Sequence, residues 1–141
     1  MHSLQTLSDR VEIQDLLNAY CFAIDARDFE AVKTKFTSDA ILDYSASDGP
    51  VGDVATVLAW VKEVLQPYGL HQHMISSPIV TINGDEASSR CILFNPMVKN
   101  LENGPQTMFF GLWYEDDLVR TEKGWLIKNR RQKPCYMYNY A

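Results

Sequence analysis

The second half of the chain alternates apolar and polar residues over four segments that are long for β-strands. These strand candidates span residues 70–83, 86–99, 106–121 and 124–138. Strands in globular proteins usually have about 5 or 6 residues, so four strands this long must coil strongly to share a sheet. Asn83-Gly84 and Lys123-Gly124 lie between neighbouring candidates, where glycine supplies the positive φ of a tight hairpin turn. The pattern predicts a coiled antiparallel sheet.

The first half of the chain is predicted to be mainly helical. Apolar residues recur at helical spacing over residues 8–26, with Ser8 as the N-cap. Asp28 can cap a short second helix whose apolar face includes Phe36 and which breaks at residues 37–39. We therefore expect two helices before the first strand.

A short strand over residues 40–45 is predicted to separate the second helix from a third. Asp53 is the expected N-cap of this third helix, and Pro67 with Gly69 stops it. Packing about three helices on the concave side of a coiled sheet gives an α+β fold shaped like a cone with an open mouth. With 141 residues, of which 46% are hydrophobic, the chain is expected to form one domain over residues 1–141.

Charge and cysteine usage narrow the functional classes. The formal net charge of −5 argues against a nucleic-acid partner, since such proteins usually present a clustered basic face, and the basic run at residues 128–133 is more typical of a solvated strand edge. Cys21, Cys91 and Cys135 are widely spaced, which favours free thiols in a reducing, cytoplasmic setting. No apolar segment is long enough to span a membrane, and the first nine residues do not resemble a signal peptide.

Two ionisable residues, Asp25 and His73, interrupt segments that otherwise have the pattern of a protein core. Burying either group is costly unless the two pair or bind something. A buried pair of this kind can make a general base, with Asp25 holding one ring nitrogen while the other accepts a carbon-bound proton. Two structural alternatives stay open: Asp25 could end its helix by accepting hydrogen bonds from the turn at residues 27–28, and His73 could be a core histidine.

His71 lies two residues before His73, so both imidazoles would share one face of a strand, as in strand-borne metal sites. The sequence offers no third ligand in a matching metal-binding signature. We therefore expect no metal, and we expect His71 to lie nearer the mouth of the cone, where it contacts a ligand or solvent.

Several short motifs resemble the SnoaL-like branch of the NTF2-like superfamily along nearly the whole chain. They are the opening Asp9-Arg10-x-x-Ile13-x-Asp15-Leu16-Leu17-x-x-Tyr20, the link Asp25-x-x-Asp28-Phe29, and the closing Leu118-Val119-Arg120-Thr121-x-x-Gly124-Trp125-x-Ile127. The pattern is most similar to scytalone dehydratase and hexachlorocyclohexane dehydrochlorinase. This resemblance implies a cone fold and catalysis without a cofactor by an Asp–His pair at Asp25 and His73.

The same resemblance implies roles for other residues and also shows departures. Tyr44 resembles a pocket tyrosine of the dehydratases, and Arg130 resembles the arginine that faces the leaving group in the dehydrochlorinase. The second pocket histidine of the dehydratases is replaced near residues 95–97, their Ser/Asn pair by the apolar residues 108–111, and the dehydrochlorinase lysine by Tyr20. A residue-for-residue copy of either enzyme is therefore excluded.

A binding cavity can be assembled from these predictions. Tyr20 and Tyr44 could donate hydrogen bonds to a carbonyl or enolate oxygen, and Arg130 could stabilise a departing anion. Simple alternation turns Arg130 away from the side of Trp125 and Ile127, so it faces the cavity only if a β-bulge shifts the register. The expected apolar lining comprises Met74, Phe94, Met97, Met108, Phe110 and Trp113.

Together these features predict a cofactor-independent lyase, such as a dehydratase, or an isomerase that acts on a small, largely apolar cyclic or polyketide-like compound. The alternative is a non-catalytic module that binds a small ligand or acts as a dimeric scaffold, in which case Asp25 and His73 should lie too far apart to share a proton. A homodimer is expected in either case, because the last strands carry enough apolar surface at Trp113, Tyr114, Tyr136, Met137 and Tyr138.

Overall fold

The computed structural model describes residues 1–140 and contains three helices and eight strands within them. The helices are α1 (Leu4–Asp25), α2 (Phe29–Lys33) and α3 (Val54–Leu65), and a short 3-10 turn covers Ser45–Ser47. The strands are β1 (Phe36–Asp43), β2 (Val51–Asp53), β3 (Tyr68–His71), β4 (Met74–Ile75), β5 (Ile79–Asn83), β6 (Glu86–Leu101), β7 (Gly104–Thr121) and β8 (Gly124–Tyr140). The expected α+β class, with three helices packed against a large sheet, is confirmed.

Helix boundaries follow the capping chemistry. Asp53 caps α3 as predicted, because its carboxylate accepts a hydrogen bond from the backbone N–H of Thr56 at 2.8 Å. The predicted start of α1 is wrong, since Ser3 rather than Ser8 is the N-cap and accepts from the N–H of Thr6 at 3.1 Å. Phe36 is also placed wrongly, because α2 ends at Lys33 and Phe36 begins β1 opposite Ile127.

The sheet is mixed rather than fully antiparallel. Its strand order is β2-β1-β8-β7-β6-β3, with β4 and β5 also paired to β6. All pairs are antiparallel except β1 with β8, which run parallel. The antiparallel pairing predicted for the long strands of the second half is confirmed, and the direction of β1 was not predicted. The two predicted hairpin turns are present, with φ of +63° at Gly84 and +92° at Gly124.

The long strand predicted over residues 70–83 is broken into β3, β4 and β5. The first break lies opposite Pro96 on β6. The N–H of Gln72 donates to the Pro96 carbonyl at 3.1 Å, but Pro96 has no N–H and cannot donate a hydrogen bond back to this segment. The ladder is interrupted at Gln72 and His73, so the backbone N–H of His73 is free to bond outside the sheet. The second break, before β5, contains Pro78, which has no N–H to donate to a ladder.

A buried carboxylate ties the first helix to the last hairpin. Asp9 on α1 is 2% exposed and accepts two hydrogen bonds from the Arg120 guanidinium, at 2.7 and 2.9 Å, and a third from the Trp125 indole N–H at 3.1 Å. These bonds hold the pKa of Asp9 well below its usual range. The motifs at the two ends of the chain therefore meet in one contact that fixes how α1 crosses the sheet.

No helix within the described residues is long and apolar enough to cross a membrane.

The apolar surface expected on the last strands is divided between exposed and buried residues. Tyr136, Met137 and Tyr138 are each more than half exposed, whereas Tyr114 is fully buried and cannot take part in a surface contact. Homodimerisation stays a prediction.

Candidate functional site

Asp25 is the last residue of α1, and the turn after it is held firmly. Arg27 adopts a left-handed conformation with φ of +56°, which turns the chain out of the helix. Its guanidinium donates to the carbonyls of Leu65, at 3.1 Å, and Tyr68. These bonds fix the end of α1 to the end of α3 and the start of β3, which brings the Asp25 carboxylate beside His71.

The Asp25 carboxylate accepts three hydrogen bonds from the segment that carries both histidines. Its Oδ1 lies 2.7 Å from Nδ1 of His73 and 2.9 Å from Nδ1 of His71. Its Oδ2 accepts from the His73 backbone N–H at 2.8 Å, the group freed by the break in the strand. Burial raises the pKa of the Asp25 carboxyl, but the bonds from His71 and His73 outweigh it and lower that pKa to about 2. Asp25 is therefore ionised at neutral pH.

The proton positions on His73 follow from this charge. An ionised carboxylate only accepts hydrogen bonds, so Nδ1 of His73 must carry a proton. Burial lowers the pKa of the His73 imidazole below its ordinary value, against the opposing effect of the Asp25 hydrogen bond. The ring is then neutral at pH 7, and its Nε2 carries a lone pair, which lies 3.3 Å from Nδ2 of Asn95 and is the acceptor that a general base requires.

A cavity of about 460 Å³ lies between α1, α3 and the inner face of the sheet. Two of its lining residues, Val64 and Met137, are also exposed, so it opens to solvent between α3 and β8. The lining is mostly apolar, with a few polar side chains. It comprises Tyr20, Ile24, Tyr44, Ser47, Trp60, Val61, Val64, Leu65, Pro67, Tyr68, His73, Leu93, Asn95, Met97, Met108, Phe110, Leu112, Tyr114, Gln132 and Met137.

Two buried tyrosines supply hydrogen-bond donors to this cavity. The hydroxyls of Tyr20 and Tyr44 are 2.7 Å apart, and both side chains are buried. Burial raises the pKa of both phenols, so both keep their protons at neutral pH. One hydroxyl hydrogen is used between the two oxygens, which leaves one to donate to a ligand.

Arg130 lies beneath the tyrosines rather than in the cavity. A bulge in β8 between Ile127 and Asn129 shifts the register, so the Arg130 side chain turns inward. Such a bulge was the predicted condition for Arg130 to face the cavity. Its guanidinium donates two hydrogen bonds of 2.8 Å to Asp116. It lies 4.3 Å from the ring centroid of Tyr20 and 4.0 Å from that of Tyr114.

The structure brings some of the candidate residues together and separates others. Tyr20, Tyr44, His73, Met97, Met108 and Phe110 line the cavity, whereas Asp25, His71 and Arg130 lie behind its wall. His71 is not at the mouth as expected, because its side chain is only 2% exposed and bonds to Asp25.

Three expected lining residues belong to other surfaces. Met74 is 52% exposed. Phe94 stacks on Phe109, and Trp113 lies against the Arg90 guanidinium, both away from the cavity. Successive side chains of a strand point to opposite faces, so Phe94 could not share a face with Met97. These three residues do not line the cavity.

Sequence reasoning missed several lining residues. Asn95 is two positions before Met97 and therefore shares its face, so strand alternation alone could have found it. Gln132 faces inward because of the same bulge that turns Arg130, and it accepts a hydrogen bond from Ser47 at 2.7 Å. No sequence signal located that bulge.

The structure also groups three side chains that could bind a metal ion. Possible ligand atoms of Asp25, His71 and His73 all lie within 4.8 Å of one another, so Asp25 supplies the third ligand that the sequence pattern did not reveal. Both Nδ1 atoms, however, already donate to the same carboxylate oxygen at hydrogen-bonding distance. An ion at that point would have to replace both ring protons and separate the three side chains. The arrangement fits a hydrogen-bonded cluster better than a metal centre.

Comparison with known proteins identifies the family. The SnoaL-like domain family matches residues 5–131. The chain is 43% identical over 136 residues to Rv2910c, an uncharacterised protein of Mycobacterium tuberculosis, which covers 96% of this chain and 92% of that protein.

Solved structures share the fold. One from Novosphingobium aromaticivorans, named as a candidate aromatic ring hydroxylase, has a TM-score of 0.83 and 28% identity and covers 95% of this chain and 94% of that one. A candidate scytalone dehydratase from the same species has a TM-score of 0.83 and 16% identity, and the match covers 96% of this chain and 89% of that one. Hexachlorocyclohexane dehydrochlorinase LinA-type3 of Novosphingobium barchaimii has a TM-score of 0.79 and 18% identity, and the match covers 96% of this chain and 92% of that one. The chain therefore belongs to the SnoaL-like family, within the NTF2-like superfamily.

Proposed function

We propose that the protein is a cofactor-independent lyase, such as a dehydratase, or an isomerase, and that it acts on a small, largely apolar cyclic or polyketide-like compound. The observation that supports this proposal most strongly is the 2.7 Å contact between Asp25 and Nδ1 of a neutral His73 at the cavity wall. The size of the cavity, about 460 Å³, suits a compound of one to a few rings.

His73 and the tyrosine pair divide the reaction between them. Nε2 of His73 takes a proton from a carbon next to a carbonyl, and the electron pair of the broken C–H bond moves to the carbonyl oxygen. A hydroxyl of the Tyr20–Tyr44 pair donates to that oxygen as its charge develops. Asp25 stabilises the imidazolium that forms. The enolate then either takes the proton back at another carbon, which is an isomerisation, or expels hydroxide, which leaves as water with the proton from His73.

Arg130 has a different part from the one the resemblance implied. Its Nε and Nη2 are bonded to Asp116, and it does not line the cavity, so direct contact with a leaving group is not part of the proposal. Its positive charge beneath the Tyr20 ring opposes the effect of burial on the pKa of that phenol. Arg130 therefore acts on the reaction through the tyrosines.

The hydrogen-bonded pair favours catalysis over binding alone. A binding module would not need Asp25 and His73 to share a proton, and their separation of 2.7 Å is the geometry of a general base. Dehydration and dehydrochlorination, the reactions named for two of the similar folds, both remove a carbon-bound hydrogen together with a leaving group.

Exchange of carbon-bound hydrogen for deuterium tests the proposal without knowledge of the substrate. Cyclic ketones such as α-tetralone, chromanone and cyclohexenone are incubated with the protein in heavy water, and loss of the proton signal next to the carbonyl is followed by NMR. We expect exchange above the buffer rate with at least one ketone. His73→Ala should lower the rate by about 10²- to 10⁴-fold, because the general base is gone.

His2→Ala is the matched control, since His2 is an exposed histidine outside the site. This variant should exchange as fast as the wild type. A His73→Ala protein that keeps the wild-type rate would contradict the proposal, as would a wild-type protein that exchanges none of the three ketones.

A further inference from the structure

The outer face of the sheet, which is the side of β6, β7 and β8 that points away from the helices and the cavity, carries exposed apolar side chains. Those that are more than half exposed are Met74, Ile92, Tyr136 and Tyr138. They lie on neighbouring strands, together with the stacked rings of Phe94 and Phe109. Monomeric soluble proteins rarely expose a large contiguous apolar patch, so we expect this face to be covered.

Beside these apolar residues, a row of four charged side chains crosses four neighbouring strands of the outer face. From β1 to β6, the strand register pairs Asp43 with Arg131, Arg131 with Glu115, and Glu115 with Arg90. The signs alternate along this charge row. Each arginine comes only within 3.9 Å of the Glu115 carboxylate, which is longer than a hydrogen bond, and both arginine side chains are 50% exposed or more. The charge row is therefore free to pair with charges on another molecule.

The order of signs in the charge row makes it complementary to a second copy of itself. In a face-to-face dimer whose two-fold axis runs along the strands between β7 and β8, β7 of one copy lies over β8 of the other. The two charge rows then meet in opposite order. Glu115 faces Arg131 of the second copy, and Asp43 faces Arg90 of the second copy. An axis along the charge row itself would set each charge against its own sign, so the charges select the first axis.

The same axis brings aromatic side chains together. Phe109 on β7 is paired in the sheet with Tyr138 on β8, so the axis places Phe109 against Tyr138 of the second copy. Next to them, the Tyr136 ring lies over Gly111, where a Cβ would come within 2.2 Å of the ring. Glycine at this position lets the ring lie close to the sheet. The aromatic end of the outer face therefore suits contact with a second sheet.

We propose that the outer face of β6, β7 and β8 is the contact surface between two copies of this chain, related by a two-fold axis along the strands between β7 and β8. A contact with another protein would not require charges that alternate in a self-complementary order. The surface lies on the side of the sheet opposite the cavity, so this inference does not depend on the proposed function.

Reversal of single charges tests the contact between Glu115 and Arg131. Glu115→Arg and Arg131→Glu each set like charges against each other, and the two-fold axis repeats the altered contact. Sedimentation of a dilution series measures the dissociation constant. We expect a wild-type dimer, and we expect each variant to raise its dissociation constant at least about 100-fold. Glu63→Arg is the matched control, because Glu63 is an exposed carboxylate on α3, and it should leave the dimer unchanged.

Mixing the two variants separates a contact between chains from an effect within one chain. The Glu115→Arg chain has arginine at both positions, and the Arg131→Glu chain has glutamate at both. In a dimer of one chain of each kind, every arginine at these positions faces a glutamate. We therefore expect the equimolar mixture to recover the wild-type dissociation constant to within about tenfold. Mixing changes no neighbour within either chain, so recovery cannot come from improved folding.

A wild-type protein that stays a monomer would overturn the inference. A trimer would do so as well, because neighbouring chains in a ring of three are not related by a two-fold axis. Dimers that neither reversal weakens, or variants that stay monomeric when mixed, would also contradict it. If circular dichroism shows that a reversal prevents folding, Tyr138→Asp replaces it, since this side chain is 59% exposed. Tyr138→Asp should weaken the dimer at least about tenfold, and an unchanged dimer would again overturn the inference.

Discussion

Replacing Asp25 with asparagine is expected to lower the rate of ketone exchange by about 10³- to 10⁴-fold, the size of effect seen when the carboxylate that orients a catalytic histidine loses its charge. The amide can donate to Nδ1 of His73, which stabilises the tautomer with its proton on Nε2. The nitrogen that faces the cavity then has no lone pair to accept a proton. The fold should persist, because the asparagine oxygen still accepts from the His73 backbone.

Asp15→Asn is the matched control for this prediction. Asp15 is an exposed aspartate on the same helix, so its variant should keep the wild-type rate. The measurement is the initial exchange rate under saturating ketone, with circular dichroism to show that each variant is folded. An Asp25→Asn protein as fast as Asp15→Asn would exclude an orienting role for Asp25.

Replacing Asp116 with asparagine is expected to lower the free energy of unfolding by about 3–5 kcal/mol. Asp116 and Arg130 form an ion pair with both side chains 1% exposed or less. Removing the carboxylate charge leaves an arginine that cannot lose its proton and has no counter-charge in the core. Urea unfolding measures the change through the midpoint of the transition.

The opposite substitution tests the other partner of the pair. Arg130→Met should also lower the free energy of unfolding, because it leaves the Asp116 carboxylate buried without its counter-charge. The double variant Asp116→Leu with Arg130→Met should recover much of the loss, since an apolar pair of similar volume often replaces a buried ion pair without cost. Asp117→Asn, at the exposed neighbour, should change stability by only about 0.5 kcal/mol. Equal losses from Asp116→Asn and Asp117→Asn would contradict this view of the core.

Some element ends that depend on local chemistry were predictable from the sequence, although the N-cap of α1 is Ser3 and not the predicted Ser8. The cap at Asp53 and the hairpin glycines Gly84 and Gly124 each need one residue type at one position, so the pattern located them. The break between β3 and β4 was not predictable from residues 70–83 alone. Its cause is Pro96 on the facing strand, which matters only once the register of β3 against β6 is known.

The residues of the candidate site also divide into those that the sequence located and those whose position depends on tertiary contacts. Asp25 and His73 stand out because burying either group alone is costly, and the structure brings them within 2.7 Å of each other. The second bond of Asp25, to His71, was missed because it depends on how the end of α1 meets β3. Arg130 depended on a bulge in β8, and a hydrophobic pattern does not show where a strand adds a residue.

The protonation state of His73 in the resting protein is the decisive property of the proposed general base. Nitrogen-edited NMR of the histidine rings reports which nitrogen carries the proton and how the ring titrates. We expect a neutral His73 at pH 7, protonated on Nδ1 and without a proton on Nε2, that takes up its second proton only below its ordinary pKa of 6.5, because burial disfavours the charged ring. A ring protonated on Nε2, or an imidazolium at pH 7, would leave the cavity without a base and would contradict the proposed mechanism.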